Sequence, residues 1–144
     1  MRQIYLDYNA TTPIAPSVQE AMAPFFNQHY GNPSSGHSLG RACAEAISDA
    51  RSQVAGLIGA DEEEIVFTSC GTESNNLAVK GMLMRGGPNE RGHLIVSAIE
   101  HPAVLEPARF LERFGYEVTV VGCDERGVVD PEKIESALKS NTLT

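Results

Sequence analysis

No run of lysine and arginine occurs anywhere in this chain, and acidic residues outnumber basic ones 19 to 11. Nucleic acid and anionic membrane surfaces both call for a basic patch, so neither is expected as the main partner. No apolar run approaches the about 20 residues that span a bilayer, and the N-terminus lacks a signal-peptide pattern. Cysteine is scarce. Cys43, Cys70 and Cys123 are odd in number and widely spaced, and no CxxC occurs. That argues against a disulfide framework or a metal site of the zinc type, and suits a reducing cytoplasm. There is no GxxxxGKS or GxxxxGKT, and no GxGxxG after a strand, which weakens a generic nucleotide-binding reading. The acidic excess reads as plain solubility.

What remains is ordinary globular material. The 144 residues are one domain's worth of chain, 42% hydrophobic, long enough to bury a sizeable core. Ile4-Tyr5-Leu6 reads as a short strand or extended entry, and Asp7–Pro13 as a polar turn. Pro16 opens a helix with Val18, Met22, Phe25 and Phe26 on one face. Gly31–Gly36 is a loop. A long helix follows from about Ser38, with Cys43 on its apolar face, and Gly59 ends it.

Glu64-Ile65-Val66-Phe67 reads as a strand. The chain then turns on Thr68-Ser69-Cys70-Gly71 and enters a helix with Thr72 at the expected N-cap. Unsatisfied amides at such a helix start, with the helix dipole, make an anion site for which phosphate is the usual occupant. Gly71 lets the backbone come close, and Ser69 and Thr72 can add hydroxyls. Cys70 is read as a small loop residue rather than a nucleophile. The helix is expected to stop near Gly86-Gly87-Pro88, followed by a polar loop from Asn89 to Gly92.

His93–Ala98 is nearly continuous in apolar character, as a buried parallel strand is. Pro102 suits the first turn of a helix that stops at Gly115, with Pro107 expected to start it or kink it. Tyr116–Val121 is a third strand, Arg126–Val129 a short extended piece, and Asp130 caps a helix from Pro131. Ser140–Thr144 reads as the start of another strand, and the chain is expected to be part of a longer protein. Strand–helix alternation predicts an α/β fold, a mostly parallel sheet flanked by helices. Ligands of such sheets sit beyond the carboxyl ends of the strands. The loops Ser69–Thr72 and Ala98–His101 leave those ends, so His101 is expected beside the anion at Thr72.

Four stretches carry a resemblance: Tyr5–Pro13, Gly31–Ser35, Phe67–Asn76 and Glu100–Val104. In this order and spacing they resemble the N-terminal part of cysteine desulfurases of the class V aminotransferase superfamily. The resemblance covers essentially the whole chain and implies a pyridoxal 5'-phosphate enzyme with a partial fold-type I large domain, three layers α/β/α. It implies that residues 1–15 form a segment near the substrate mouth and that 16–144 form an incomplete cofactor-binding domain. Gly71 and Thr72 match the residues that hold the cofactor phosphate. His101 matches the histidine stacked on the pyridine ring, also implied in proton transfers. Asn9, Ala10 and Thr11 match a loop near the substrate mouth.

The implied substrate is L-cysteine. The implied partners are a sulfur-acceptor protein such as an iron–sulfur scaffold, and a second copy in a homodimer. The family's cofactor-bonding lysine, its acidic partner for the ring nitrogen, its nucleophilic cysteine and its substrate-carboxylate arginine all fall further along than this sequence reaches. Lys80, Lys133 and Lys139 sit in predicted helices and read as solvent-facing charges. The chain alone is therefore expected to be inactive. Two alternatives stay open: a selenocysteine lyase or other class V relative, and a non-catalytic dimerising fragment. A half-sheet with exposed apolar faces also predicts a chain that aggregates or relies on partners.

Overall fold

The computed structural model describes residues 3–84 and 91–143. Two compact units are present, Met1–Val66 and Phe67–Thr144. The expected helix stop at Gly86-Gly87-Pro88, and Asn89 and Glu90 of the polar loop, lie outside the described residues.

The first unit is helical. Ile4-Tyr5-Leu6 is exposed, and it joins no ladder among the described residues. The expected single helix from Pro16 is two pieces, α1 (Pro16–Met22) and α2 (Pro24–Asn27). Pro24 has no amide hydrogen to continue the ladder, so the second piece starts on it. Helix α3 (Ser38–Ile58) is 21 residues long. His37 caps it, with Nδ1 accepting the Gly40 amide at 3.2 Å. Gly59 closes it at φ 70°, a left-handed conformation that favours glycine. Cys43 and Ala55 are buried along α3, and Ile65 is buried beyond it.

The strand expected at Glu64–Phe67 does not form. Glu62–Glu64 is a 3-10 turn closed by a capping box from Asp61, and Ile65 leaves it extended at φ −92°, ψ 120°. The Arg51 guanidinium donates to the Ile65 carbonyl, the kind of group a ladder neighbour would otherwise engage. Apolar content favours an extended chain, but only a neighbouring strand makes it a sheet.

The second unit is α/β, as the strand–helix rhythm predicts. Helix α4 (Gly71–Met84) is followed by β1 (His93–Ser97), α5 (Pro102–Glu112), β2 (Glu117–Val121) and α6 (Pro131–Ala137). Strands β1 and β2 are parallel, with His93 opposite Glu117 and Ser97 opposite Val121. Thr142 bridges His93 in parallel. His93 donates its amide to Asn141 at 2.8 Å and accepts from Leu143 at 3.0 Å, so β1 lies between β2 and residues 141–143. The strand start read at Ser140–Thr144 is thus one bridge long among the described residues. Alternation along β1 turns Leu94 and Val96 toward α5, where they pack with Ala108 and Leu111. Leu111 is 1% exposed, and burying such a side chain contributes about 1.5–3 kcal/mol.

Pro107 does not start the helix. Helix α5 runs from Pro102 to Glu112 and contains it. One ladder bond is lost there, and the buried Ala103, Pro107, Ala108 and Leu111 face holds the helix. Arg126–Val129 is a turn rather than an extended piece. The Asp124 carboxylate accepts the Arg126 and Val128 amides, and only Val129 bridges back, to Cys123. Asp130 caps α6 as expected, accepting the Glu132 amide at 3.0 Å.

Candidate functional site

The stretch Thr68–Asn76 builds the start of α4. Helix α4 begins at Gly71, so Thr72 is its second residue rather than its N-cap. The first intrahelical bond runs from the Ser74 amide to the Cys70 carbonyl at 3.1 Å. Loop and helix are tied by side chains. Thr68 Oγ1 and Ser74 Oγ lie 2.6 Å apart, and Asn76 Nδ2 donates to the Thr72 carbonyl at 2.9 Å.

Ser69 does not offer its hydroxyl to solvent. Both its Oγ and its amide donate to Glu73 Oε2, at 2.6 and 2.7 Å. These two bonds, hydroxyl first, hold the Glu73 carboxyl below its usual range. The Cys70 thiol is also lowered, chiefly by the Glu73 amide, then by the Ser69 hydroxyl and the Thr72 amide. Ser69 has one hydroxyl proton, and its 2.6 Å bond to Glu73 outcompetes the 3.8 Å approach to Cys70 Sγ. The helix-start amides therefore carry the effect on Cys70. Both acidic groups at this loop ionise more easily than usual, Cys70 through helix-start amides and Glu73 through Ser69.

His101 caps α5. Its Nδ1 accepts the Ala103 amide at 3.0 Å. The ring proton of the neutral imidazole therefore sits on Nε2. Capping uses one nitrogen only, and the residue stays exposed. A helix-capping role and a ligand-binding role are thus compatible in one side chain.

Thr72 and His101 line one cleft of about 590 Å³ between α4 and α5, together with Asn76, Lys80, Phe110 and Arg113. The juxtaposition expected from the two loops is present. Lys80 departs from its reading as a solvent-facing charge: it is half-buried, with Nζ 4.5 Å from the centre of the Phe110 ring. The spacing of these two residues across separate helices held no signal for that contact. Lys133 is exposed on α6. Lys139 lies beyond α6 and pairs with Glu117 at 3.3 Å.

Asn9, Ala10 and Thr11 belong to the first unit. All three are exposed in a turn whose Ala10 amide donates to the Asp7 carbonyl at 3.1 Å. Tyr5 braces this turn, its hydroxyl reaching the Asp7 carbonyl at 2.9 Å and the Thr11 carbonyl at 3.3 Å. His93, read from the sequence only as the first residue of a strand, is wholly buried and hydrogen-bonded at both ring nitrogens.

The second unit is thus a parallel α/β unit in which a helix start and a capping histidine share one cleft. The class V aminotransferase family profile matches residues 4–144, and the chain belongs to that family. The cysteine desulfurase IscS of Dictyoglomus turgidum is 49% identical over 142 residues, covering 99% of this chain and 36% of the relative. A cysteine desulfurase of Nostoc sp. is 47% identical over 142 residues, 99% of this chain and 35% of the relative. Among solved structures, a NifS-like protein superposes with a TM-score of 0.86 at 38% identity, covering 93% of this chain and 36% of that one. SspA in complex with cysteine gives 0.88 at 41% identity, covering 96% and 40%. The chain thus spans little more than a third of the curated relatives it matches.

Proposed function

We propose that this chain is the N-terminal portion of a cysteine desulfurase. The whole protein converts L-cysteine to L-alanine with pyridoxal 5'-phosphate and passes the sulfur on as a persulfide. The acceptor is a protein such as an iron–sulfur scaffold, the enzyme is a homodimer, and the setting is the cytoplasm. The observation that carries this reading is the meeting of Thr72 and His101 on one cleft at two helix starts. Relatives named cysteine desulfurase at 45–49% identity support the activity. A structural neighbour in complex with cysteine supports the substrate.

The residues present fit the cofactor's phosphate. The amides at the start of α4 already draw the Cys70 thiol toward its anionic form. Gly71 and Thr72 would hold the phosphate through backbone amides and the Thr72 hydroxyl. When bound, the cofactor supplies an electron sink through its ring. His101 would pack against that ring. Its Nδ1 is committed to the Ala103 amide, so the proton it can hand over is the one on Nε2. Asn9, Ala10 and Thr11 belong to the substrate mouth, within an N-terminal segment of residues 1–15. The cofactor-binding domain runs from 16 onward.

The test uses the protein that carries this chain. Pyridoxal phosphate and phosphate-free pyridoxal are titrated against the wild type and Thr72→Ala. A hydrogen bond to a charged group contributes about 1.5–3 kcal/mol, so Thr72→Ala weakens pyridoxal phosphate about 10- to 100-fold and leaves pyridoxal nearly unchanged. Equal binding of the phosphate form by both proteins rejects the assignment. The 144 residues alone, given cofactor and L-cysteine, produce no alanine or sulfide. Sustained turnover by them would sink that statement.

A further inference from the structure

The most enclosed polar side chain among the described residues takes no part in the proposed site. His93, the first residue of β1, is 0% exposed. Its Nε2 lies 2.7 Å from Thr119 Oγ1 of β2, and its Nδ1 lies 2.8 Å from Thr142 Oγ1. One ring thus joins the central strand to both of its neighbours. The main chain repeats the pattern on the Thr142 side, where the His93 amide and carbonyl bond Asn141 and Leu143.

Hydrogen-bond accounting orients the protons. Thr142 Oγ1 accepts the Lys139 amide at 2.7 Å. In the tautomer that uses its own proton, Thr142 Oγ1 donates to Nδ1 and Nε2 donates to Thr119. In that tautomer the ring is neutral and both of its nitrogens are paired. A second ring proton on Nδ1 would reverse the bond to Thr142, turn its hydroxyl proton away and place a charge on a ring that is 0% exposed.

We propose that His93 is a proton-sensitive pin that holds residues 139–143 in register beside β1, keeping them paired while its ring is neutral and releasing them on acidification. The charged groups acting on the ring are Lys139, which opposes protonation, and Glu117 of β2, which favours it. These two pair with each other at 3.3 Å, so their effects largely offset. Helix α6 packs against β2, and its Glu132, Lys133 and Glu135 are exposed. Burial, first, and then Lys139 hold the His93 ring below the ordinary imidazole value, in keeping with the geometry. With residues 139–143 released the ring titrates normally, so pairing is full above the ordinary value of about 6.5 and weakens as pH falls below it.

Amide hydrogen exchange on the protein, read as protection factors from pH 7.5 to 5, tests this. The Leu143 amide, which donates to His93, reports the pin, and the Ala98 amide, bonded to Val121 at 2.8 Å, reports the β1–β2 pair. Leu143 protection is expected to fall up to tenfold per pH unit below about 6.5 while Ala98 holds. In His93→Gln, which keeps a donor and an acceptor and does not titrate, Leu143 protection should be flat with pH. Thr142→Val should move the His93 ring titration upward in NMR and lower Leu143 protection at neutral pH. A flat Leu143 profile in the wild type, a parallel loss at Ala98, or an unmoved His93 titration in Thr142→Val each overturns the proposal. Should His93→Gln fail to fold, the wild-type profile and Thr142→Val still decide it.

Discussion

One helix, α3, offers the same substitution at two sites with opposite expected signs. Gly40 and Gly56 both lie within Ser38–Ile58. Replacing an interior helical glycine by alanine removes unfolded-state freedom and stabilises by about 0.5–1 kcal/mol when nothing stands in the way. At Gly56 a new methyl meets nothing within 4 Å, so the gain should be realised. Gly40 is buried, and a methyl there would run into the Ser35 carbonyl oxygen, 2.6 Å from the Asn32 oxygen and 2.9 Å from Ser35 Cβ. Two of these are backbone atoms and cannot rotate aside. Overpacking of this kind costs about 1–3 kcal/mol, so the propensity gain is outweighed. Gly40→Ala should lose roughly 0.5–2 kcal/mol net. The loop it pushes on, 31–36, also lies against Leu39, since a methyl on Gly31 would sit 2.5 Å from the Leu39 oxygen. Urea unfolding followed by circular dichroism at 222 nm gives both midpoints at constant m. The reasoning is refuted if Gly40→Ala is as stabilising as Gly56→Ala, because the close approach of loop and helix would then not exist.

Three further outcomes are expected. Leu111→Ala, at a side chain 1% exposed, should destabilise by about 3–5 kcal/mol, in the upper part of the range for buried leucine; a loss under about 1 kcal/mol in denaturant titration contradicts the core assignment. Iodoacetamide labelling resolved by peptide mass should proceed in the order Cys70, Cys123, Cys43, since Cys70 is exposed with a lowered thiol pKa, Cys123 is half-buried and Cys43 is buried. The Glu73 carboxyl is depressed, so its stabilising contacts with Ser69 are complete above the ordinary carboxylate range and are lost as pH falls through and below it. Ser69→Ala should shift the Glu73 carbon-13 titration upward, and an unchanged titration argues against the pair of bonds at Oε2.

Much of the second unit was legible along the chain. His93–Ser97 and Glu117–Val121 announced themselves by apolar, β-branched runs, and Pro102 and Pro131 marked helix starts that the structure keeps. Those signals are local: ring closure at φ, a missing amide hydrogen, a side chain that caps its own next turn. Pro107 misled because its local penalty is one ladder bond, while the buried face of α5 is larger than that. Glu64–Phe67 misled for the opposite reason, since strand formation depends on a neighbour and not on the segment's own residues. Thr72 shifted by two positions from the expected cap, and the hydroxyl credited to the anion at Ser69 went instead to Glu73, four residues ahead.

By itself, then, the sequence determined where chain direction changes, which segments are apolar on one face, and which small and hydroxyl residues stand at the start of α4. Those are properties of a few consecutive residues. Only tertiary structure decided that Thr72 and His101 share a cleft, that Lys80 rests on Phe110, and that His93 joins three neighbouring segments. These contacts bring together residues 26 to 49 positions apart. They depend on the register of parallel segments and the packing of helices, which no local signal encodes.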